Sequence, residues 1–420
     1  MIYRTIRNSR KGAKAQNSKS FAVFASLRLC ASFLRALSDL RVQKHRRSWK
    51  IVSLGLCFCA SLFRNSATDA PGFALPQLNH HFEFPRDHGS HPEFKLEWWY
   101  VTGHLYTDDN HRYGFQATFF RSAAPRDLLT PNAIEENEDF GTGQVYLAHM
   151  ALLDVRNGRF LHQERLNREG WDATATLNKL DVRNGPWSLR MTDANTQQLK
   201  LQGSIRADVS FSLILEPEKP LVVFGQNGVS RKGATPAAAS YYLTFPRLRV
   251  TGQLLDGKET RIVHGLAWMD HEISSSQLDP QQVGWDWACL QLSESRELMC
   301  YKMRRADGTE DPFSTLAWID SQGVVTHVRA DQFKWETLGT WTSPITKAIY
   351  PVRIRLTALD PSTGKDRVFI LDPLAENQEL TGNVGGIPYW EGGCHVRDEQ
   401  GNEIGSSFLE LTGYAGKLRL

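Results

Sequence analysis

The sequence is poor in cysteine and lacks the cysteine spacings that hold small or metal-bound folds together. Only six cysteines occur in 420 residues, and three of them, Cys30, Cys57 and Cys59, lie before residue 60. No CxxC pair and no cluster of Cys and His at zinc spacing is present. A disulfide-dense scaffold and a structural zinc site are therefore excluded.

The body of the chain also lacks an excess of positive charge. After residue 50 it holds 36 basic against 45 acidic residues. Nucleic-acid binding depends on clustered Lys and Arg facing phosphates. This charge balance excludes nucleic acid as the expected partner.

No apolar run reaches the roughly 20 residues that a membrane-spanning helix needs. The longest run, residues 51–63, follows a basic stretch with Arg46 and Arg47 and precedes small polar residues around Ser66. This layout is typical of a signal peptide, with twin-arginine export as an alternative. We expect residues 1–70 to be a leader, a basic extension plus signal peptide, and the protein to be exported and periplasmic or membrane-associated through the leader.

Helical periodicity is absent after residue 97, whereas strand and turn signals are frequent. Asn157-Gly158 and Asn184-Gly185 match type I′ turns, which join antiparallel strands. Many antiparallel strands close into barrels or sandwiches because closure removes unpaired edges. The sequence predicts a mainly β fold with one β domain over residues 71–249 and a second over residues 250–420, with a loose boundary near Arg249.

One predicted hairpin brings two cysteines together. If Glu294-Ser295 is a two-residue turn, Cys289 lies opposite Cys300 on the neighbouring strand. The pair then forms either a cross-strand disulfide in an oxidising compartment or two buried thiols.

Four segments combine aromatic and ionisable residues: 97–104, 264–272, 284–287 and 389–392. Side chains alternate along a strand, so His264, Trp268, Asp270 and Glu272 share one face. A carboxyl group beside an indole in a closed barrel keeps its proton near neutral pH, which predicts Asp270 as an acid whose activity falls as pH rises. The alternatives are structural roles for these residues, or a metal shell of His264, His271, Asp270 and Glu272. No Gly-x-Ser-x-Gly motif supports a serine hydrolase.

The same segments carry a resemblance to a known family. Leu96-Glu97-Trp98-Trp99-Tyr100-Val101-Thr102-Gly103-His104-Leu105, Trp268-Met269-Asp270-His271-Glu272, Gly284-Trp285-Asp286-Trp287 and Tyr389-Trp390-Glu391-Gly392 resemble, in this order, the blocks of the lipocalin-like family of AttH proteins and carotenoid 1,2-hydratases (CrtC-type). Ile273 departs from the hydratase branch, which carries an aromatic residue there. The resemblance implies two lipocalin-like antiparallel β-barrel or sandwich domains packed together, an apolar pocket and no cofactor.

The resemblance also implies a site and a function. Asp270, His271 and Glu272 are the expected catalytic residues, and no metal ligand is assigned. The expected substrate-binding residues are Trp99, Tyr100, His104, Trp268, Trp285, Asp286, Tyr389, Trp390 and Glu391. The expected activity is that of a lyase adding water to an isoprenoid or other apolar alkene. The alternatives are a non-catalytic periplasmic binder of a hydrophobic, lipid-like ligand working with an ABC-type transporter, and a secreted hydrolase.

Overall fold

The computed structural model describes residues 72–123, 143–170, 172–382, 384 and 388–418. These residues belong to one compact unit. The predicted leader, residues 1–70, lies outside the described residues. Besides strands, the described residues form two short 3-10 helices, Arg86–His88 and Ala330–Gln332.

The first sheet is antiparallel and folds back on itself. Its order is β4-β3-β2-β1-β13-β12-β9-β8-β7-β6-β5, with β10 and β11 paired to β12. Near its two ends, Asn184 in β6 donates from Nδ2 to the carbonyl oxygen of Tyr146 in β3 over 3.1 Å, so the sheet is a nearly closed barrel. Its strands are β1 (Leu96–Tyr106), β2 (Arg112–Ala123), β3 (Gln144–Asp154), β4 (Arg159–Arg168), β5 (Ala173–Ala175), β6 (Asp181–Asn184), β7 (Trp187–Asp193), β8 (Gln198–Ile205), β9 (Val209–Pro217), β10 (Val222–Val223), β11 (Val229–Arg231), β12 (Ala239–Asp256) and β13 (Glu259–Ser276).

The second sheet is also antiparallel and encloses its own core, which includes Trp318, Tyr350 and Trp390. Its order is β17-β16-β15-β14-β23-β22-β20-β19-β18, with β21 paired to β22. Its strands are β14 (Gln282–Leu292), β15 (Glu297–Arg305), β16 (Thr315–Ile319), β17 (Val325–Arg329), β18 (Phe333–Thr342), β19 (Ile349–Asp360), β20 (Lys365–Pro373), β21 (Glu379–Leu380), β22 (Tyr389–Arg397) and β23 (Glu403–Leu411). The predicted mainly β fold of two antiparallel, lipocalin-like sheets is confirmed.

The chain passes from the first sheet to the second between Ser276 and Gln282. Arg249, near which the sequence predicts a domain boundary, lies inside β12, an 18-residue strand of the first sheet. Residues on both sides of Arg249 therefore belong to the same sheet.

The predicted pairing of Cys289 with Cys300 is wrong. Leu292 donates from its backbone nitrogen to the carbonyl oxygen of Arg296 over 2.9 Å, so the loop has three residues, with Ser295 at a φ of +57°. Cys289 therefore faces Met299, and Cys300 faces Ala288. A one-residue change of register moves a side chain to the other face of the sheet. The two residues are free, buried thiols, which was the alternative reading.

None of the helices found among the described residues is long and apolar enough to cross a membrane.

Candidate functional site

A cavity of about 310 Å³ lies between the two sheets. The first sheet contributes β1, β2, β3, β4, β12 and β13 to its wall, and the second contributes β14, β15, β22 and β23. Most of the wall is apolar, and aromatic side chains form much of it. They include Trp98, Tyr100, Phe120, Tyr242, Trp285 and Trp287.

Strand β13 sends alternate residues to opposite faces, as the sequence predicts. It pairs with β1 without interruption from Ser274 to His264, so no bulge shifts the alternation. Asp270 and Glu272 line the cavity, and Trp268 is buried on the same face beneath them. His264 shares this face but lies beyond the cavity, where it is exposed. His271 points to the opposite face, so it does not pair with Asp270.

Asp270 is buried and receives three hydrogen bonds. Its Oδ1 accepts from Thr244 Oγ1 at 2.6 Å and from Trp268 Nε1 at 2.7 Å, and its Oδ2 accepts from the Tyr242 hydroxyl at 2.7 Å. Burial raises the pKa of Asp270 to about 7, although the hydrogen bonds from Thr244 and Tyr242 lower it. The carboxyl group therefore exists in both protonation states near neutral pH, and its ionised form has ready-made donors.

Glu272 lies two residues after Asp270 on β13, and its negative charge is balanced by a neighbouring cation. Its Oε2 accepts from the Ser240 hydroxyl and lies 3.0 Å from Lys232 Nζ. The ammonium group of Lys232 also sits over the rings of Tyr242 and Tyr301, 4.5 and 4.2 Å from their centroids. Glu272 thus holds a cation in the cavity wall, which differs from the catalytic role that the sequence predicts for it.

Glu391 enters the cavity from the second sheet and is 1% exposed. Its Oε1 accepts from the Tyr100 hydroxyl at 2.7 Å, whereas its Oε2 has no hydrogen-bond partner in the described part of the chain. Burial and the facing carboxyl of Glu410, its cross-strand neighbour, raise the pKa of Glu391 well above its usual range. These effects favour the neutral acid form of Glu391, with the proton on the oxygen that does not accept from Tyr100.

The other predicted binding residues fall into two groups, those that line the cavity and those that do not. Tyr100, Trp285, Tyr389 and Glu391 line the cavity. Four others are buried elsewhere: Trp99 stacks on His271, His104 bonds the carbonyl of Ser407, Asp286 pairs with Arg304, and Trp390 fills the core of the second sheet. Trp99, Asp286 and Trp390 point to the strand face opposite the cavity, whereas His104 shares the face of Tyr100 but lies further along β1. None of the four lines this cavity, and their role in substrate binding stays a prediction.

His271 belongs to a second polar group, centred on Glu97. Oε1 of Glu97 lies 2.9 Å from both His91 Nδ1 and His271 Nε2. Its Oε2 accepts from Arg121 Nε at 2.9 Å and from Ser90. Ligand-type atoms of His91, Glu97 and His271 lie within 4.8 Å of one another, but Glu97 is already satisfied by these donors. The metal shell of His264, His271, Asp270 and Glu272 is wrong, because it combines residues from two faces of β13.

The sequence reasoning missed four residues that line the cavity, Lys232, Tyr242, His149 and Glu410, and it missed Thr244, which donates to Asp270. Tyr242 and Thr244 alternate on β12 directly beside Glu272 and Asp270. The paired residues are nearly 30 positions apart along the chain. A prediction of the register of the β12–β13 hairpin would have identified them. Glu410 faces Glu391 across β22 and β23, and burial raises the pKa of Glu410 to about 7.

The comparisons with known proteins agree with this architecture. The AttH-like family model matches residues 76–414. The chain belongs to the AttH-like family. Its structure is similar to a crystal structure assigned as an AttH from Nitrosomonas europaea, at 34% identity and a TM-score of 0.71, over 81% of this chain and 100% of the other.

A more distant similarity is to kievitone hydratase from Nectria haematococca. The identity is 14% and the TM-score 0.59, over 82% of this chain and 97% of the other, which shows a shared fold. A search of curated proteins gives no match. The family predicted from the four sequence blocks is confirmed.

Proposed function

We propose that this AttH-like protein is an exported hydratase that adds water to an isolated double bond of an apolar, isoprenoid-type substrate. The observation that carries the proposal is a pair of buried carboxyl groups, Asp270 and Glu391, which face one aromatic-lined cavity from opposite sheets. The fold shared with kievitone hydratase shows that this architecture accommodates a hydratase.

The two carboxyl groups have different environments, which assigns them different roles. Asp270 receives three hydrogen bonds, which favour its ionised form, whereas Glu391 receives one and keeps a bare oxygen. Two carboxyl groups with separated environments commonly divide into an acid and a base. Glu391 is therefore the proton donor, and Asp270 is the base. This reverses the sequence-based assignment of Asp270 as the acid.

The reaction balances with these two groups. Glu391 gives its proton to one alkene carbon, and the π electrons form the new C–H bond, which leaves a cation at the other carbon. A water molecule bonds to that carbon and loses a proton to the Asp270 carboxylate. The net change is addition of one water molecule, and proton exchange through solvent returns both carboxyl groups to their starting forms.

The cavity wall suits the cationic intermediate. Trp98, Trp285 and Trp287 line the cavity, and the electron-rich faces of indole rings attract a cation. Tyr242 receives a hydrogen bond from Trp287 Nε1 at 3.0 Å and donates to Asp270, so its orientation is fixed. The base is thereby oriented before substrate binds.

The proposed roles predict the direction of the pH dependence. We expect kcat/KM to rise as pH increases through about 7, because Asp270 must lose its proton to act as the base. At alkaline pH kcat/KM should fall again, because Glu391 then loses the proton that it donates. A pH series of hydration rates with geranylacetone as the probe alkene checks this. A rate that falls through pH 7 would return the acid role to Asp270.

The alternative function is a non-catalytic binder of a hydrophobic ligand that works with an ABC-type transporter. The largely apolar cavity suits such a ligand as well as a substrate. The two functions differ in the fate of the bound alkene. Recovery of the probe unchanged after saturating binding would favour the binder.

Export is supported by the sequence of the leader. We expect the mature protein to begin after residue 63 and to lie outside the cytoplasm, because residues 51–63 have the layout of a signal peptide. Cell fractionation with N-terminal sequencing checks this. A cytosolic chain that still begins at Met1 would contradict it.

A further inference from the structure

His149 is a buried histidine in the cavity wall that the proposed chemistry does not use. It lies on β3 and is 2% exposed, and its Nε2 has no hydrogen-bond partner among the residues that the structure describes. Its Nδ1 lies 2.8 Å from the hydroxyl of Tyr389, which enters from the second sheet.

The surrounding bonds favour Nε2 of His149 as the nitrogen that carries the proton. Gln116 Nε2 donates to the oxygen of Tyr389 over 3.4 Å, and the Tyr389 hydroxyl is then placed to donate its own proton to His149 Nδ1. Nδ1 is then an acceptor, and the proton of the neutral ring lies on Nε2. Burial lowers the pKa of His149 to about 4, which keeps the ring neutral near pH 7.

We propose that His149 Nε2 is a subsite for an acceptor oxygen of the substrate, which makes the substrate an isoprenoid-type alkene bearing a carbonyl or ether oxygen. A buried N–H group without a partner is costly, and a ligand oxygen removes that cost. This inference rests on the proposed function, because that function places the double bond at Asp270 and Glu391.

The sheet register sets the distance between the oxygen and the double bond. His149, Thr118, Tyr100 and Asp270 are successive cross-strand partners on β3, β2, β1 and β13. Three strand spacings of about 4.8 Å separate His149 from Asp270 along the sheet, which makes about 14 Å. This is roughly the length of three isoprene units, at about 5 Å for each extended unit.

The rim of the cavity sets the direction in which the substrate enters. Leu166 on β4 lines the cavity and is 48% exposed, and Val384 lines it and is 50% exposed. Along the sheet, Leu166 lies one strand from His149 and four strands from Asp270. The alkene end therefore enters first, and the oxygen-bearing end stays near the rim.

The test compares two probes that differ only in the oxygen. Geranylacetone carries a methyl ketone at one end and two isoprene-type double bonds, and 2,6-dimethylundeca-2,6-diene is the matching hydrocarbon. Binding is measured by quenching of tryptophan fluorescence, because Trp98, Trp285 and Trp287 line the cavity. We expect the ketone to bind about tenfold more tightly than the hydrocarbon, within the range for satisfying a buried donor.

The variant His149→Phe removes the donor and keeps a ring of similar size. We expect it to weaken ketone binding about tenfold and to leave hydrocarbon binding within twofold. His162→Phe is the matched control, since His162 lies on β4 outside the cavity lining and should change neither Kd. His149→Gln, which supplies an amide N–H, should retain part of the ketone preference and serves if His149→Phe does not fold.

The outcomes separate this subsite from the proposed function. An unchanged ketone preference in folded His149→Phe would overturn the subsite even if hydration occurs. A preference that depends on His149 without any hydration would support the subsite and contradict the hydratase. Binding of neither probe to the wild-type protein would contradict both.

Discussion

Glu391→Gln is expected to lower the rate of alkene hydration by about 10²- to 10⁴-fold, the usual contribution of a general acid. Glutamine keeps the size of the side chain and an oxygen that accepts from Tyr100, but it has no transferable proton. Ligand binding should change little, because the protonated glutamate and the glutamine side chain are both uncharged. The measurement is single-turnover hydration and probe affinity on the same preparation.

Glu403→Gln is the matched control for that variant. Glu403 lies at the start of β23 with a side chain that is 44% exposed, next to His395, and it does not line the cavity. Its replacement should leave turnover unchanged. Full turnover in a folded Glu391→Gln protein would remove Glu391 from the mechanism.

Asp270→Asn tests the base and separates catalysis from folding. We expect turnover to fall at least about 10²-fold, because the amide accepts no proton from water. The pKa of Asp270 is raised in the folded protein, so its stabilising contribution is complete at acid pH and is lost as pH rises through about 7. Asparagine carries no charge, so the variant avoids the loss of stability that ionisation of Asp270 causes. Its Tm at pH 8 should therefore be equal to or higher than that of the wild type. A lower Tm together with lost binding would indicate a structural aspartate instead.

Glu97→Ala is expected to cost about 3 to 5 kcal/mol of the free energy of unfolding, the range for removing one partner of a buried ion pair. Glu97 and Arg121 are both 0% exposed, so the variant leaves the guanidinium group without its counter-charge. Hydrogen bonds to Asp87 and Glu97 also raise the pKa of His91 to about 9 against the opposing effect of burial, so a second buried cation loses a partner.

Urea unfolding at neutral pH measures this loss, with the exposed Glu336→Ala as the control. The Glu336→Ala substitution should change the free energy of unfolding by less than about 1 kcal/mol, as is usual for exposed ion pairs. A similarly small effect at Glu97 would show that its network does not stabilise the fold. Glu97 lies on the face of β1 opposite Tyr100, so the cavity chemistry should persist wherever the variant remains folded.

The sequence predicts features that depend on local alternation, and these are found in the structure. Asp270 and Glu272 share a face because β13 runs against β1 without a bulge. The same alternation places His271 on the other face, which the resemblance to the family blocks did not reveal. The residue pattern thus identified the strand and its two faces, but only the packing of the sheets shows which face borders the cavity.

Features that depend on loop length or on contacts between the sheets could not be predicted. A single additional loop residue, with Ser295 in the left-handed region, separates Cys289 from Cys300. The neutral state of Glu391 depends on Tyr100 and on burial between sheets, and those two residues are 291 positions apart in the chain. No local pattern encodes such a distant contact, so the reversal of acid and base roles needed the structure.

Incubation of the wild-type protein with geranylacetone in heavy-oxygen water tests the central claim, water addition by the Glu391 and Asp270 pair, most directly. Mass spectrometry should show a product heavier than the probe by one molecule of oxygen-labelled water, with the labelled oxygen in a new hydroxyl group. The label should be absent with Glu391→Gln and Asp270→Asn over the same time. Recovery of unlabelled, unchanged probe from wild-type protein that binds it would contradict the hydratase and leave a binder of apolar ligands.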